Sequence, residues 1–128
     1  AARAYLAARP DISAGRIGML GASIGASVAV LSAASDPQVR SLALLSPSLE
    51  YRGLRIEQPL RKYASRPALL VVSSEDPYAL RSARAMVSMG DGARELRVLS
   101  GAGHGTVMLS REPDLSSVLV DWFLRTLL

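Results

Sequence analysis

Three residues far apart in the chain are of the types that together move a proton and attack a carbonyl: Ser23, Asp76 and His104. Ser23 lies at the centre of Gly21-Ala22-Ser23-Ile24-Gly25, a G-x-S-x-G pattern between a short apolar run and a longer stretch of small and apolar residues. A serine held on a sharp strand-to-helix turn projects its hydroxyl above a sheet. Glycines at 21 and 25 are expected there because strand and helix approach closely, and the helix start brings its amides and positive dipole end beside the hydroxyl. The N–H of Ile24 is then an oxyanion donor. The bland alternative is a serine that caps a helix, or a glycine turn without chemistry. Asp76 follows the aliphatic run ALLVVSS, where a carboxylate can accept an imidazole N–H and stabilise the imidazolium. It can equally cap a helix opening at Pro77, and Glu75 is a competing acid. His104, the only histidine, sits in the glycine-rich loop GAGHG rather than on an apolar face. Gly101, Gly103 and Gly105 would let that loop swing the ring toward a serine.

The elements that must carry these residues follow from the pattern of apolar runs. AARAYLAAR is rich in good helix formers and stops at Pro10. RIGML reads as a buried strand and IGASVAVLSAAS as a helix ending before Asp36-Pro37. SLALLS is a second strand, and the polar segment PSLEYRGLRIEQ leads to a short helix around PLRKYAS. ALLVVSS is a continuous aliphatic run of the kind parallel sheets bury on both faces. EDPYALRSARAMVSM has Leu80, Ala83, Met86 and Val87 at helical spacing, and ELRVLS is a fourth strand. The last segment, EPDLSSVLVDWFLRTLL, is an amphipathic helix with Leu115, Val118, Leu119, Trp122 and Leu127 on its buried side. Strands alternating with helices predict a three-layer α/β/α unit around a mostly parallel sheet of about four strands. Ser23, Asp76 and His104 then fall just past successive strand ends, the edge where such sheets gather ligands.

Composition removes several classes of function. The chain has 128 residues, 49% of them hydrophobic, and a formal charge of +4, enough for one small domain with a packed core. Lys62 is the only lysine and the arginines are dispersed among nearly as many acids. Neither a basic stripe nor an interleaved set of aromatic residues is present to hold nucleic acid. Absence of cysteine excludes disulfides, thiolate metal sites and cysteine nucleophiles, and a single histidine argues against a His-rich metal centre. Ile17 to Ser35 carries no charge and is long enough to span a bilayer. Its glycines and serines and its lack of aromatic anchors argue against a membrane span. No basic-then-apolar leader is visible after Ala1. No compartment is fixed by these features; a soluble, cytoplasmic setting is favoured.

From about Arg16 to its end the chain resembles the second half of an α/β-hydrolase, close to the dienelactone-hydrolase-like and small esterase branches. RIGMLGASIGAS matches the nucleophile turn, VVSSEDPY the acid loop and LSGAGHGTVML the histidine loop, in the family's order of serine, acid and histidine. The resemblance implies a partial α/β-hydrolase fold over residues 1–128 as one domain, with Ser23 as nucleophile and His104 as base. It favours Asp76 over Glu75 as the acid, because Pro77-Tyr78 matches the family loop. Dienelactone hydrolases carry cysteine at the nucleophile, so Ser23 points to the esterase-type relatives. The aspartate nucleophile of dehalogenases and epoxide hydrolases is not present.

The implied activity is cleavage of carboxylic esters or related acyl bonds in a small-molecule substrate through an acyl-enzyme, with no cofactor. Pro47 to Pro59, where the family often inserts a lid, is too short for a cap domain. An open pocket touched by Tyr51, Leu54, Tyr78 and Met108 is therefore expected, with ordinary core the alternative for Leu54 and Met108. Family sheets begin with several strands before the nucleophile strand, and one of their loops gives the second oxyanion amide. Those strands are expected to be missing here, leaving RIGML as an unpaired edge open to self-association and the isolated chain weak or inactive. Rival readings are a thioesterase, peptidase or acyltransferase using the same residues, and a non-catalytic fragment that acts by packing against a partner.

Overall fold

The computed structural model describes residues Ala1–Leu128. Four parallel strands form one sheet in the order β1-β2-β5-β6: β1 (Ile17–Ala22), β2 (Val39–Leu45), β5 (Ala68–Ser73) and β6 (Arg94–Leu99). Between β2 and β5 lie a small antiparallel hairpin, β3 (Glu50–Tyr51) with β4 (Leu54–Arg55), and the helix α3 (Glu57–Tyr63). The other helices are α1 (Ala2–Ala7), α2 (Ile24–Ser35), α4 (Pro77–Val87), α5 (Val107–Arg111) and α6 (Leu115–Leu127). The α/β class, the parallel sheet and its four strands are as the sequence predicts.

Period-two alternation divides each central strand between two cores. Leu42, Leu44, Ala68, Leu70 and Val72 join Ala26, Val30, Leu60 and Met86 on one face, under α2, α3 and α4. Ala43, Leu45, Leu69 and Val71 join Met108, Leu115, Leu119 and Trp122 on the other. Each successive strand is added on the same side of the last, so crossovers of one hand put all three connecting helices on one face. After the last strand, α5 and α6 lie on the opposite face, and α6 returns across it to pack on β2 and β1. Its placement is pinned by Trp122, whose indole N–H donates to the Leu42 carbonyl at 2.9 Å. The expected buried side of α6 is found in Leu115, Leu119 and Trp122, with Val118 half-buried.

The uncharged stretch from Ile17 to Ser35 is split into β1 and α2, and no helix of the structure is long and apolar enough to cross a membrane. Two elements were not foreseen. Arg52 and Gly53, with φ of 49° and 83°, make the two-residue turn that closes the β3–β4 hairpin inside what reads as a polar segment. The short helix α5 follows the histidine loop. The two sheet edges differ in character. β6 carries Arg94, Glu95 and Arg97, the kind of charge that keeps an edge from pairing. β1, the other edge as expected, carries none. A groove of about 610 Å³ runs beside it, lined by Leu20, Leu119, Val120, Phe123 and Leu124 among others.

Candidate active site

Ser23 joins β1 to α2 with φ 55° and ψ −120°, a left-handed conformation that costs a residue with a Cβ and persists only where neighbours impose it. They do so from both sides. The Ser23 N–H donates to the Leu45 carbonyl at 2.9 Å, extending the β1–β2 ladder, while the Ser23 carbonyl accepts from Ala26 at 3.0 Å and starts the helix. The Ser23 side chain makes no capping bond to α2, which removes the simple reading of a helix cap. Gly21 is required sterically: a Cβ there would lie 2.3 Å from the Gly25 carbonyl oxygen. Gly25 is not, since a Cβ there meets nothing within 4 Å. The expectation that both glycines serve close approach is corrected to Gly21 alone; the backbone of Gly25 is what approaches, and its missing side chain is not the reason.

Asp76 caps α4, Oδ1 accepting from the Ala79 N–H at 3.5 Å, while Oδ2 lies 2.5 Å from His104 Nδ1. The aspartate thus makes both contacts at once: the cap orients the carboxylate, whose second oxygen faces the ring. On the far side of the ring, Nε2 is 2.9 Å from Ser23 Oγ. A carboxylate can only accept, so Nδ1 carries the proton and the Nε2 lone pair faces the serine hydroxyl. The histidine loop takes the shape its glycines permit, with Gly101, Gly103 and Gly105 at φ 68°, 82° and 66°. Asp76 is sheltered, its side chain 19% exposed, and His104 is open at 51%.

Glu75 turns away from the imidazole. Its carboxylate accepts from the Gly101 N–H at 3.0 Å and the Ser74 hydroxyl at 3.1 Å. The Ser73 hydroxyl, then the Gly101 amide, bring its pKa down to about 2. The backbone N–H of Ile24, first residue of α2, has no acceptor within its own helix and is free by geometry to face an anion. This set of groups can take the proton of Ser23 onto Nε2 as the hydroxyl oxygen attacks, and hold the resulting imidazolium against Asp76. Nowhere do three or more His, Asp or Glu side chains converge in a way that could hold a metal ion.

The four residues expected to line a pocket divide. Tyr51 and Leu54 face each other on the β3–β4 hairpin, and the Tyr78 hydroxyl donates to the Glu50 carbonyl at 2.9 Å, tying that hairpin to α4. Met108 is a correction: it is fully buried in the core under α6, its sulfur accepting from the Ser46 hydroxyl at 3.2 Å. Position 108 faces inward because α5 is a short amphipathic turn whose single buried residue is this one. No cavity of the structure is lined by Ser23, Asp76 or His104; of the three, His104 is the open one. Ser46 and Ser73 were not singled out in the sequence, though each ends a buried aliphatic run in the same way, LALLS and LLVVS. Both hydroxyls accept from amides of the histidine loop.

No protein-family model matches the chain. Two curated relatives from Mycobacterium tuberculosis strains, each provisionally named a phosphoribosyl transferase, are 32% identical over 126 residues, 94% of this chain and 26% of theirs. The chain thus spans about a quarter of the length of the curated relatives it matches. Among solved structures, a dienelactone hydrolase from Anabaena variabilis superposes with a TM-score of 0.79 at 20% identity, over 99% of this chain and 57% of that one. The esterase domain of a Rhodothermus marinus protein gives 0.78 at 19% identity, over 99% and 67%. An α/β hydrolase from a Penicillium species gives 0.73 at 13% identity, over 98% and 69%. At such identities the likeness is one of architecture, and by that architecture this chain has the α/β-hydrolase fold.

Proposed function

We propose that the chain carries the reacting residues of a serine hydrolase that cleaves carboxylic esters or related acyl bonds. The observation that supports this most directly is the continuous line from Ser23 Oγ to His104 Nε2 and from His104 Nδ1 to Asp76. Its serine is held in a left-handed backbone conformation at a strand-to-helix turn. Ser23 Oγ attacks the carbonyl carbon and gives its proton to Nε2. The tetrahedral oxyanion is received by the Ile24 N–H, and collapse expels the alcohol, which takes the proton back from the imidazolium. Water, deprotonated by the same imidazole, then attacks the acyl carbon, and as the bond to Ser23 Oγ breaks the imidazolium returns the proton to Oγ and the acid leaves. The hydrolase and esterase structures that share this fold support the same reaction class.

Within these residues Ile24 supplies one oxyanion donor, and removing one of two donors from such a hole costs about a hundred- to a thousandfold in rate. With that one donor, the 128-residue chain by itself is a weak or inactive catalyst. The open surface around Ser23 suits small or medium acyl groups, with the Tyr51–Leu54 hairpin and Tyr78 as the nearest candidates to contact them. The transferase name of the curated relatives belongs to proteins about four times as long.

The test is to treat the chain with a fluorophosphonate and a short activated ester. Mass spectrometry is expected to find one phosphonyl group on Ser23, with slow ester turnover, and Ser23→Ala should lose both. Labelling elsewhere, or turnover unchanged in Ser23→Ala, would refute the proposal. Transfer of a phosphoribosyl group from its pyrophosphate donor, independent of Ser23, would replace it.

A further inference from the structure

The loop from Ser100 to Thr106 belongs to no helix or strand, contains three glycines with positive φ, and half-exposes the imidazole it carries. A segment of that kind has much conformational freedom to lose. Yet His104 must be kept within hydrogen-bond reach of two partners on two other loops. The restraint is on the backbone. Gly101 donates its N–H to the Glu75 carboxylate at 3.0 Å, Ala102 to Ser73 Oγ at 3.0 Å and Gly105 to Ser46 Oγ at 2.9 Å.

The acceptors are themselves fixed. Ser73 is the last residue of β5 and Ser46 follows the last residue of β2, and both are completely buried. The Ser46 hydroxyl spends its own proton on the Met108 sulfur at 3.2 Å, which turns its lone pairs toward Gly105. The Glu75 carboxylate is oriented by the Ser74 hydroxyl. Neighbouring acids thus divide the work: Asp76 takes the ring and Glu75 takes the backbone three residues before it.

We propose that Glu75, backed by Ser73 and Ser46, is the positioning residue that presents His104 to Ser23: it touches no reacting atom but anchors the entry to the histidine loop. This deepens the reading of Ser23 and His104 as the reacting pair and rests on it. The carboxylate stays in its accepting form throughout the neutral range, since its hydrogen bonds hold the pKa at about 2. A charged acceptor also makes the stronger bond to an amide.

Glu75 is exposed, whereas Ser46 and Ser73 are buried, so Glu75 is the one of the three to change, and Glu75→Gln keeps an acceptor for the Ser73 hydroxyl. The test compares Glu75→Ala and Glu75→Gln with the parent chain and Ser23→Ala. It reads the rate of Ser23 phosphonylation by a fluorophosphonate, the NMR signals of the His104 ring and its Nδ1 proton, and hydrogen exchange at the Gly101 amide. Misplacing a reacting group by about 1 Å can cost a hundredfold. Glu75→Ala is expected to slow phosphonylation about ten- to a hundredfold, to shift or broaden the His104 signals and to expose the Gly101 amide. Glu75→Gln, which keeps an acceptor oxygen, should recover most of the rate. A Glu75→Ala protein with the parent's rate and His104 signals overturns the proposal, even if it melts lower. If the parent is not labelled at Ser23, the nucleophile reading fails by itself. The NMR and exchange measurements then decide the positioning role: unchanged signals in Glu75→Ala reject it, and displaced signals sustain it.

Discussion

Replacing Gly21 with alanine would place a methyl group 2.3 Å from the carbonyl oxygen of Gly25, 2.6 Å from its carbonyl carbon and 2.8 Å from Cα of Ala26. All three are backbone atoms of the first turn of α2, so no side chain can rotate to make room. Carbon atoms sit best about 3.5–4.0 Å apart, and α2 must therefore withdraw from β1 by about 1 Å. Overpacking of this kind costs about 1–3 kcal/mol. With backbone on both sides, the upper end of that range is expected. Gly25→Ala is the matched control, because its Cβ meets nothing within 4 Å and its φ is not positive. It should gain up to about 1 kcal/mol from helix propensity. For a domain of this size a kilocalorie shifts the melting temperature by about 3–5 °C. Thermal melts should then show Gly21→Ala falling by about 10 °C while Gly25→Ala holds or rises. Phosphonylation of Ser23 should be slowed only in Gly21→Ala, whose Ser23 is carried away from His104. Equal melting temperatures for Gly21→Ala and its parent, or an equal loss in both variants, would refute the steric argument for the motif.

Met108→Ala removes a fully buried side chain from the core under α6 and should cost about 2–5 kcal/mol in urea unfolding. Relative rates across acyl-chain lengths should not change; a change in selectivity at unchanged stability would return Met108 to the pocket. Burial raises the Tyr63 phenol from 10.0 to about 12, and its hydroxyl donates to the Pro67 carbonyl at 2.7 Å. The folded state holds this proton more tightly than the unfolded one. The stability it contributes is complete below the ordinary phenol value and is lost as pH rises towards the folded one. Unfolding measured at rising alkaline pH should show this loss in the parent and not in Tyr63→Phe. An identical decline in both proteins would place its origin elsewhere.

Local pattern carried most of the architecture. The aliphatic runs that became β2 and β5 have no other use than burial on two faces, and the change from them to helical spacing fixes the alternation of strand and helix. Chain order, glycine content and the resemblance of the Pro77-Tyr78 loop together singled out Ser23, Asp76 and His104 as candidates. Pairing between distant residues was not legible in this way. Between Glu75 and Asp76 only the Pro77-Tyr78 that follows favoured Asp76 in the sequence; what Glu75 does instead was not legible, because it depends on where the histidine loop passes, which brings Nδ1 to Asp76 and the Gly101 amide to Glu75. Ser46 and Ser73 read as the polar ends of strands until the fold lays the histidine loop across them. Met108 follows a glycine loop and looks like a pocket wall, but α5 turns it into the core. The sequence by itself determined which side chains could do chemistry and which segments could hold them. Only the tertiary structure decided what Glu75 holds, which glycine the turn requires and which hydroxyls hold the loop, because each depends on contacts between residues some 25 to 60 positions apart, or on the close approach of a strand to a helix.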